Sequence, residues 1–163
     1  KTSANLDQHW PGTKLGDQLE RLFDKPVLIA NDADVQGYGC IEGKGLEMVL
    51  TLGTGMGSSL FINGTLVPNL ELAHHPLKKG TTYEDYVGRQ ALEKVGKEKW
   101  IEHVKYVIEK TAFIWNWDIM HLGGGNTKLL KHTIFPDNVK FHSNKAGVLG
   151  GFKLWESQSI MRM

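Results

Sequence analysis

Two carboxylates follow directly on a short apolar run. Pro26-Val27-Leu28-Ile29-Ala30 stops abruptly at Asn31-Asp32, and Asp34 comes two residues later. A carboxylate fixed at such a point can take the proton of a substrate hydroxyl as a general base. The same Asp32 would also serve as an inert helix N-cap, and Asp34, two positions on, should point elsewhere. A second apolar run, Met48-Val49-Leu50-Thr51-Leu52, ends in Gly53-Thr54-Gly55-Met56-Gly57-Ser58. With few Cβ atoms in the way, backbone N–H groups of this turn can face inward as an anion nest, to which Thr54 adds a hydroxyl. A tight β-turn whose glycines adopt positive φ is the alternative reading. A third run, Ile119-Met120-His121-Leu122, ends in Gly123-Gly124-Gly125. A flat ring or a ribose could lie against that bare backbone; a close-packed strand-to-helix turn would have the same composition. Finally, Asn69, Glu71 and His74 fall within six residues, with His75 beside them, and offer the hydrogen-bonding groups that a sugar needs. Glu71, His74 and His75 are also legal zinc ligands, but their spacing matches no standard zinc pattern and no cysteine is near.

The elements that must position these groups can be read from periodicity. Leu15, Leu19, Leu22 and Phe23 recur at helical spacing and predict an amphipathic helix over about 14–23. Residues 26–30 suit a buried strand, and a helix should run from Asp32 to about Glu42. After the break at Gly43-Lys44-Gly45, residues 48–52 and 59–62 read as strands. Asn63-Gly64 is a strong hairpin signal, with Thr65-Leu66-Val67 returning. The Gly53–Gly57 turn therefore lies in a β-meander, whereas a dinucleotide fingerprint needs a helix after its glycines so that phosphate meets a helix N-terminus. Helices are predicted from Thr81 or Thr82 through Val95, from Glu98 to Ile114, and from about Asn126 to His132. Val139-Lys140-Phe141 is a last strand, and Ala146-Gly147-Val148-Leu149-Gly150 opens a C-terminal helix. Trp100, Phe113, Trp115 and Trp117 read as core. The pattern is mixed α/β, a class in which ligands collect at the carboxyl ends of strands.

Composition narrows the field. Nineteen basic and eighteen acidic residues in 163 leave a formal charge of +1, with 23 % charged and 40 % hydrophobic. That balance gives no electrostatic footprint for nucleic acid and no acidic tail. The single cysteine, Cys40, excludes an internal disulfide framework and an all-cysteine zinc site. No apolar run approaches the roughly 18–20 residues of a membrane-spanning helix. The length suits one domain or one lobe of a larger protein.

Taken as a set and in order, the motifs resemble the ROK family of sugar kinases, in its polyphosphate glucokinase branch. The likeness runs from about residue 26 to about residue 155. It rests on Ile29–Asp34, Leu50–Ser58, Leu66–His74, His121–Gly125 and Ala146–Gly151. The resemblance implies an α/β, actin-like ATPase (ribonuclease H-like) fold, mostly its second lobe with a remnant of the first. Residues 1–44 would end the first lobe, 45–142 would form the second, and 143–163 would be the helix returning to the first. It further implies Asp32 as catalytic base, and Asn31, Asn69, Glu71 and His74 as sugar contacts. Gly53, Thr54, Gly55 and Gly57 would be the phosphate-binding turn, and Gly123, Gly124 and Gly125 the nucleotide-side turn. The implied reaction is phosphoryl transfer to a hexose such as glucose in the cytoplasm. Mg²⁺ would accompany ATP or polyphosphate as donor; no nucleic acid or membrane partner is implied, and a homodimer is allowed.

Three departures matter. The family's first phosphate motif, Asp-x-Gly-Gly-Thr, is nowhere in this sequence, so the chain is expected to be a truncated kinase, inactive by itself. The zinc-binding cysteine cluster of many members is also missing, so no zinc is expected. Ala73 stands where the family has glycine before the histidine. The alternative function is a non-catalytic, sugar-binding regulatory module of the same fold. Such regulators carry a helix-turn-helix segment and the zinc cysteines, neither of which is seen in this sequence. A Rossmann oxidoreductase is opposed by the strand after Gly57.

Overall fold

The computed structural model describes Trp10 and residues 12–67 and 70–161; Asn69 of the expected sugar contacts lies outside them. The chain divides into two compact units, residues 1–31 and 32–163.

In the first unit the predicted helix is present as α1 (Leu15–Phe23), and it ends where Asp24 turns left-handed at φ 50°. The expected strand at Pro26–Ala30 is not formed: these residues join no ladder, and Ile29 is 58 % exposed. An apolar run becomes a strand only where a neighbouring edge can take its N–H and C=O groups. Here the Val27 N–H donates instead to the Glu20 carboxylate at 3.0 Å.

The second unit opens with α2 (Asp32–Cys40), followed by β1 (Leu46–Leu52), β2 (Met56–Ile62) and β3 (Thr65–Val67). These strands are the expected antiparallel meander, with Leu46 opposite Ile62 and Leu52 opposite Met56. Asn63 and Gly64 take φ of 49° and 78°, as the two central positions of a type I′ hairpin turn require. A 3₁₀ turn (Leu72–His74) and a small hairpin, β4 (Pro76–Lys78) and β5 (Thr81–Thr82), lead to α3 (Tyr83–Val87), α4 (Arg89–Val95) and α5 (Lys97–Trp115). β6 (Ile119–Gly123) and β7 (Val139–Phe141) complete a five-stranded sheet of order β3-β2-β1-β6-β7, in which β1, β6 and β7 are parallel. The C-terminal helix is α6 (Ala146–Met161).

Two predicted helices differ in form. The helix expected from residue 81 or 82 through 95 starts at Tyr83, behind a Thr82–Asp85 capping box, and is cut into α3 and α4 at Gly88. Gly88 sits so close to the Thr54 carbonyl that a Cβ there would lie 3.3 Å from it. The Arg89 N–H donates to that same carbonyl, so the helix breaks to hold the glycine turn. The helix expected after Gly125 is a 3₁₀ segment, Gly125–Leu130, with the Thr127 hydroxyl on the Gly124 carbonyl.

Each face of the sheet has its own core. Met48, Leu50, Leu52, Met120 and Leu122 pack against Trp100, Val104, Val107 and Ile108 of α5. Trp100 and Trp117 are core as expected, but Phe113 is 78 % exposed, because it lies on the outer side of α5. On the opposite face Val49 and Phe61 meet Tyr38, Cys40 and Ile41 from α2 and its end, with Ala146 of α6. α2 and α6 approach at backbone distance: a Cβ on Gly39 would lie 1.8 Å from the Ala146 carbonyl oxygen, and one on Gly150 1.7 Å from that of Val35.

That second face also holds a buried polar chain which the sequence did not reveal. Glu47 on β1 and His121 on β6 are both fully buried and hydrogen-bonded at 2.7 Å. His121 Nδ1 meets His142 Nε2 at 2.8 Å. The Glu47 carboxylate also accepts the N–H groups of Glu42, Gly43 and Lys44. Burial works to raise the Glu47 pKa, but these donors outweigh it and hold the group below the usual carboxylate range. His142 is held below the ordinary histidine value, first by burial and then by the neighbouring His121 and Lys140.

Candidate active site

The three loaded turns meet at one end of the sheet. Asp32 is exposed at the start of α2, and its carboxylate accepts the next residue's N–H, Ala33, at 2.8 Å. Ala33 rests on the glycine turn: a Cβ on Gly57 would lie 2.9 Å from the Ala33 Cβ. Farther along α2, a Cβ on Gly37 would lie 2.5 Å from the Ser59 hydroxyl oxygen. The helix that begins with Asp32 is thereby seated on the ends of β1 and β2. The parallel pairing sets Thr51 beside Gly123, and the Asn126 amide donates to the Gly53 carbonyl at 2.9 Å. The Gly53–Gly57 and Gly123–Gly125 turns are thus adjacent.

The glycines of the expected phosphate turn are not there for positive φ, since Gly53, Gly55 and Gly57 all lie outside that region. Crowding accounts for two of them. A Cβ on Gly57 would meet the Thr51 hydroxyl at 2.4 Å, and one on Gly55 would meet the Glu84 carboxylate at 2.0 Å. Gly53 has open space on its Cβ side. An inventory of the donors is decisive. The Gly53 N–H goes to the Gly55 carbonyl, the Gly57 N–H to the Thr51 hydroxyl and the Met56 N–H to Glu84 Oε2. The N–H groups of Thr54 and Gly55 and the Thr54 hydroxyl have no protein partner among the described residues. They form a small outward set of donors fit for an anion. In the nucleotide-side turn Gly124 does have positive φ, 90°, and is pressed against the Leu52 backbone, while Gly125 is open.

Glu84 is a residue that sequence reasoning missed. It reaches from the first turn of α3 to the Met56 N–H at 3.0 Å, and so holds the phosphate turn from behind. The capping box marks a helix start, but nothing in the sequence says which turn the carboxylate will meet.

The expected sugar loop is only partly drawn together. The Ser58 hydroxyl and the Leu70 carbonyl lie 3.5 Å apart, tying the loop to β2. Glu71 is exposed and close enough to Asp34 for its charge to act there. Asp34, expected to point elsewhere, shares this field: burial first, then Glu71 and Asp32, push its pKa to about 6. One residue of helix separates Asp34 from Asp32 without removing the influence of the Asp32 charge. His74 is exposed and adds to the field of Asp85, whose carboxyl is held low chiefly by Thr82. Asn31 closes the first unit and is exposed. Among the described residues no group of three or more His, Cys, Asp or Glu side chains is arranged to hold a metal ion. Nor is any described helix long and apolar enough to cross a membrane.

Comparison with known proteins places this arrangement. No family model matches the chain. Polyphosphate glucokinase of Mycobacterium tuberculosis is 36 % identical over 135 residues, covering 77 % of this chain and 50 % of the relative. The Mycobacterium leprae polyphosphate glucokinase is 42 % identical over 81 residues, 45 % of this chain and 25 % of that one. The chain thus spans about half the length, or less, of these curated relatives. Among solved structures, the inorganic polyphosphate/ATP-glucomannokinase of Arthrobacter sp. strain KM superposes with a TM-score of 0.82 at 26 % identity, over 97 % of this chain and 67 % of that one. A ROK family glucokinase from Streptomyces griseus, solved with glucose and AMPPNP, shares the fold at a TM-score of 0.69 and 16 % identity, over 86 % of this chain and 71 % of that one. The fold is the actin-like ATPase fold of ROK sugar kinases, as the motif order led one to expect.

Proposed function

The chain is a relative of the polyphosphate glucokinases with the fold of the ROK sugar kinases, and on that premise we propose that it carries the base and the phosphate turn for phosphoryl transfer to a hexose hydroxyl. Asp32 takes the hydroxyl proton as the sugar oxygen attacks the terminal phosphorus of ATP or polyphosphate. The new O–P bond forms as the bond to the bridging oxygen breaks, and a nucleoside diphosphate or a polyphosphate shorter by one unit leaves. The Thr54 and Gly55 N–H groups and the Thr54 hydroxyl receive the charge of the transferred group. In reactions of this kind the protein supplies mainly positioning and electrostatic stabilisation. Asn31, Asn69, Glu71 and His74 are assigned to the sugar, and Gly123–Gly125 to the nucleotide side. Mg²⁺ would accompany the donor phosphates. No zinc is assigned, and the reaction is placed in the cytoplasm.

One observation carries this reading. The helix headed by the Asp32 carboxylate rests, through Ala33, on the turn whose Thr54 and Gly55 N–H groups have no partner among the described residues. The test is Asp32→Asn in the full-length protein, which keeps size and capping ability but removes the proton acceptor. The kcat for glucose should fall about 10²–10⁴-fold, with KM and the melting temperature little changed. Near-normal kcat, or a loss explained by unfolding, would return Asp32 to a capping role. The 163-residue chain assayed alone should stay at background with ATP or polyphosphate, since its sequence has no Asp-x-Gly-Gly-Thr motif.

A further inference from the structure

Gln36 lies one helical turn beyond Asp32 on α2, so the two side chains leave the same face of the helix. Its amide nitrogen is buried and has no hydrogen-bond partner among the described residues. It sits against Gly123, at 2.7 Å from where a Cβ would stand, and the Thr51 methyl group backs the same glycine position. Gln36 Nε2 is therefore lodged where the ends of β1 and β6 separate the phosphate turn from the nucleotide-side turn. A sheltered N–H₂ without an acceptor is unfavourable, and buried donors of this kind nearly always have a partner. The residue as a whole is only half-buried. Its terminal torsion is soft, so the amide can turn its hydrogens toward a group held between the two glycine turns.

We propose that the Gln36 side-chain amide donates to a terminal phosphate oxygen of the phosphoryl donor, as a further positioning residue beside the Thr54 and Gly55 N–H groups. The assignment rests on the kinase reading above and adds to it a donor from α2. A Cβ on Gly123 would press on the place of the amide, so the glycine leaves room for Gln36 in this position.

The test uses the full-length protein and two substitutions, Gln36→Met, which keeps the length and loses the donor, and Gln36→Glu, which sets a negative charge against the anion. Binding of tripolyphosphate and of ATP is measured by calorimetry without hexose, alongside KM and kcat for donor and hexose. A hydrogen bond to a charged group contributes about 1.5–3 kcal/mol, so Gln36→Met should weaken tripolyphosphate binding about tenfold or more. Gln36→Glu should weaken it further, with KM for hexose and the melting temperature nearly unchanged. Loss with ATP as well would mean that both donors use the amide; loss with tripolyphosphate alone would confine its role to polyphosphate. Wild-type binding of both ligands by both variants, or no tripolyphosphate binding by the wild type, overturns the proposal. If the wild type bound tripolyphosphate through Gln36 but phosphorylated no hexose, the kinase reading would fail and this assignment would stand.

Discussion

The α2–α6 contact offers a sharp test of how the fold aims Asp32, the proposed base. Gly150 has no room for a methyl group: its Cβ would sit 1.7 Å from the Val35 carbonyl oxygen and 3.0 Å from the Gly39 nitrogen. An ordinary contact needs about 3.4 Å or more, so Gly150→Ala must part the two helices by more than about 1 Å. Overpacking typically costs about 1–3 kcal/mol, and more where backbone is struck, while Ala recovers up to about 1 kcal/mol of helix propensity over Gly. The expected net loss is about 2–3 kcal/mol, or about 5–10 °C in Tm for a domain of this size. Gly147 and Gly151 lie on the same helix with nothing within 4 Å of a Cβ. Their Ala variants share the propensity gain without the clash and should be neutral or more stable by up to about 1 kcal/mol. Urea titrations of the three variants give the comparison directly. Because α2 begins at Asp32, the displacement should also reach the base, and a misplacement of about 1 Å can cost about 10² in rate. The full-length Gly150→Ala protein should therefore lose kcat beyond what its unfolded fraction explains. Equal stability of the Gly150→Ala and Gly151→Ala proteins would refute the close-approach argument. Lost stability with normal kcat would break the link from α6 to the site.

Other perturbations probe separate parts of the structure. Asp34, with its pKa raised to about 6, binds more protons folded than unfolded between about pH 4 and 6, so its contribution to stability falls as pH rises through that window. Asp34→Asn should flatten that slope and stabilise the protein near neutrality, which denaturation at pH 4.5 and 7 will check; an unchanged slope would contradict the raised pKa that burial, and then Glu71 and Asp32, impose. Its effect on kcat should be far milder than that of Asp32→Asn. Glu47→Gln sets an NH₂ among donors that now face a carboxylate and should cost about 2–4 kcal/mol. Glu42→Gln, which loses only the exposed pair with Lys140, should cost far less; similar losses for the two would show that the buried network is not special. The low Glu47 pKa also means that its stabilisation, present above the unfolded carboxylate value, should be lost as pH falls through the folded one.

Much of this protein is written in local patterns. The meander follows from two short apolar runs and Asn63-Gly64, because a two-residue I′ turn has strict backbone demands. The helices at 15–23, 97–115 and 146–161 follow from apolar spacing and from glycine breaks. The candidate carboxylate and the two glycine turns were legible because strand ends are where α/β folds expose chemistry. Tertiary structure decided what no local pattern could carry. Residues 26–30 have strand composition, yet a strand exists only beside an edge to pair with. Gly55, Gly57 and Gly123 look like flexible turn residues; in fact each yields its Cβ space to a distant group, Glu84, Thr51 with Ala33, or Gln36. The bond between Glu47 and His121 joins residues 74 positions apart. A single buried pair leaves no periodicity to read, so its partners become visible only when β1 and β6 lie side by side.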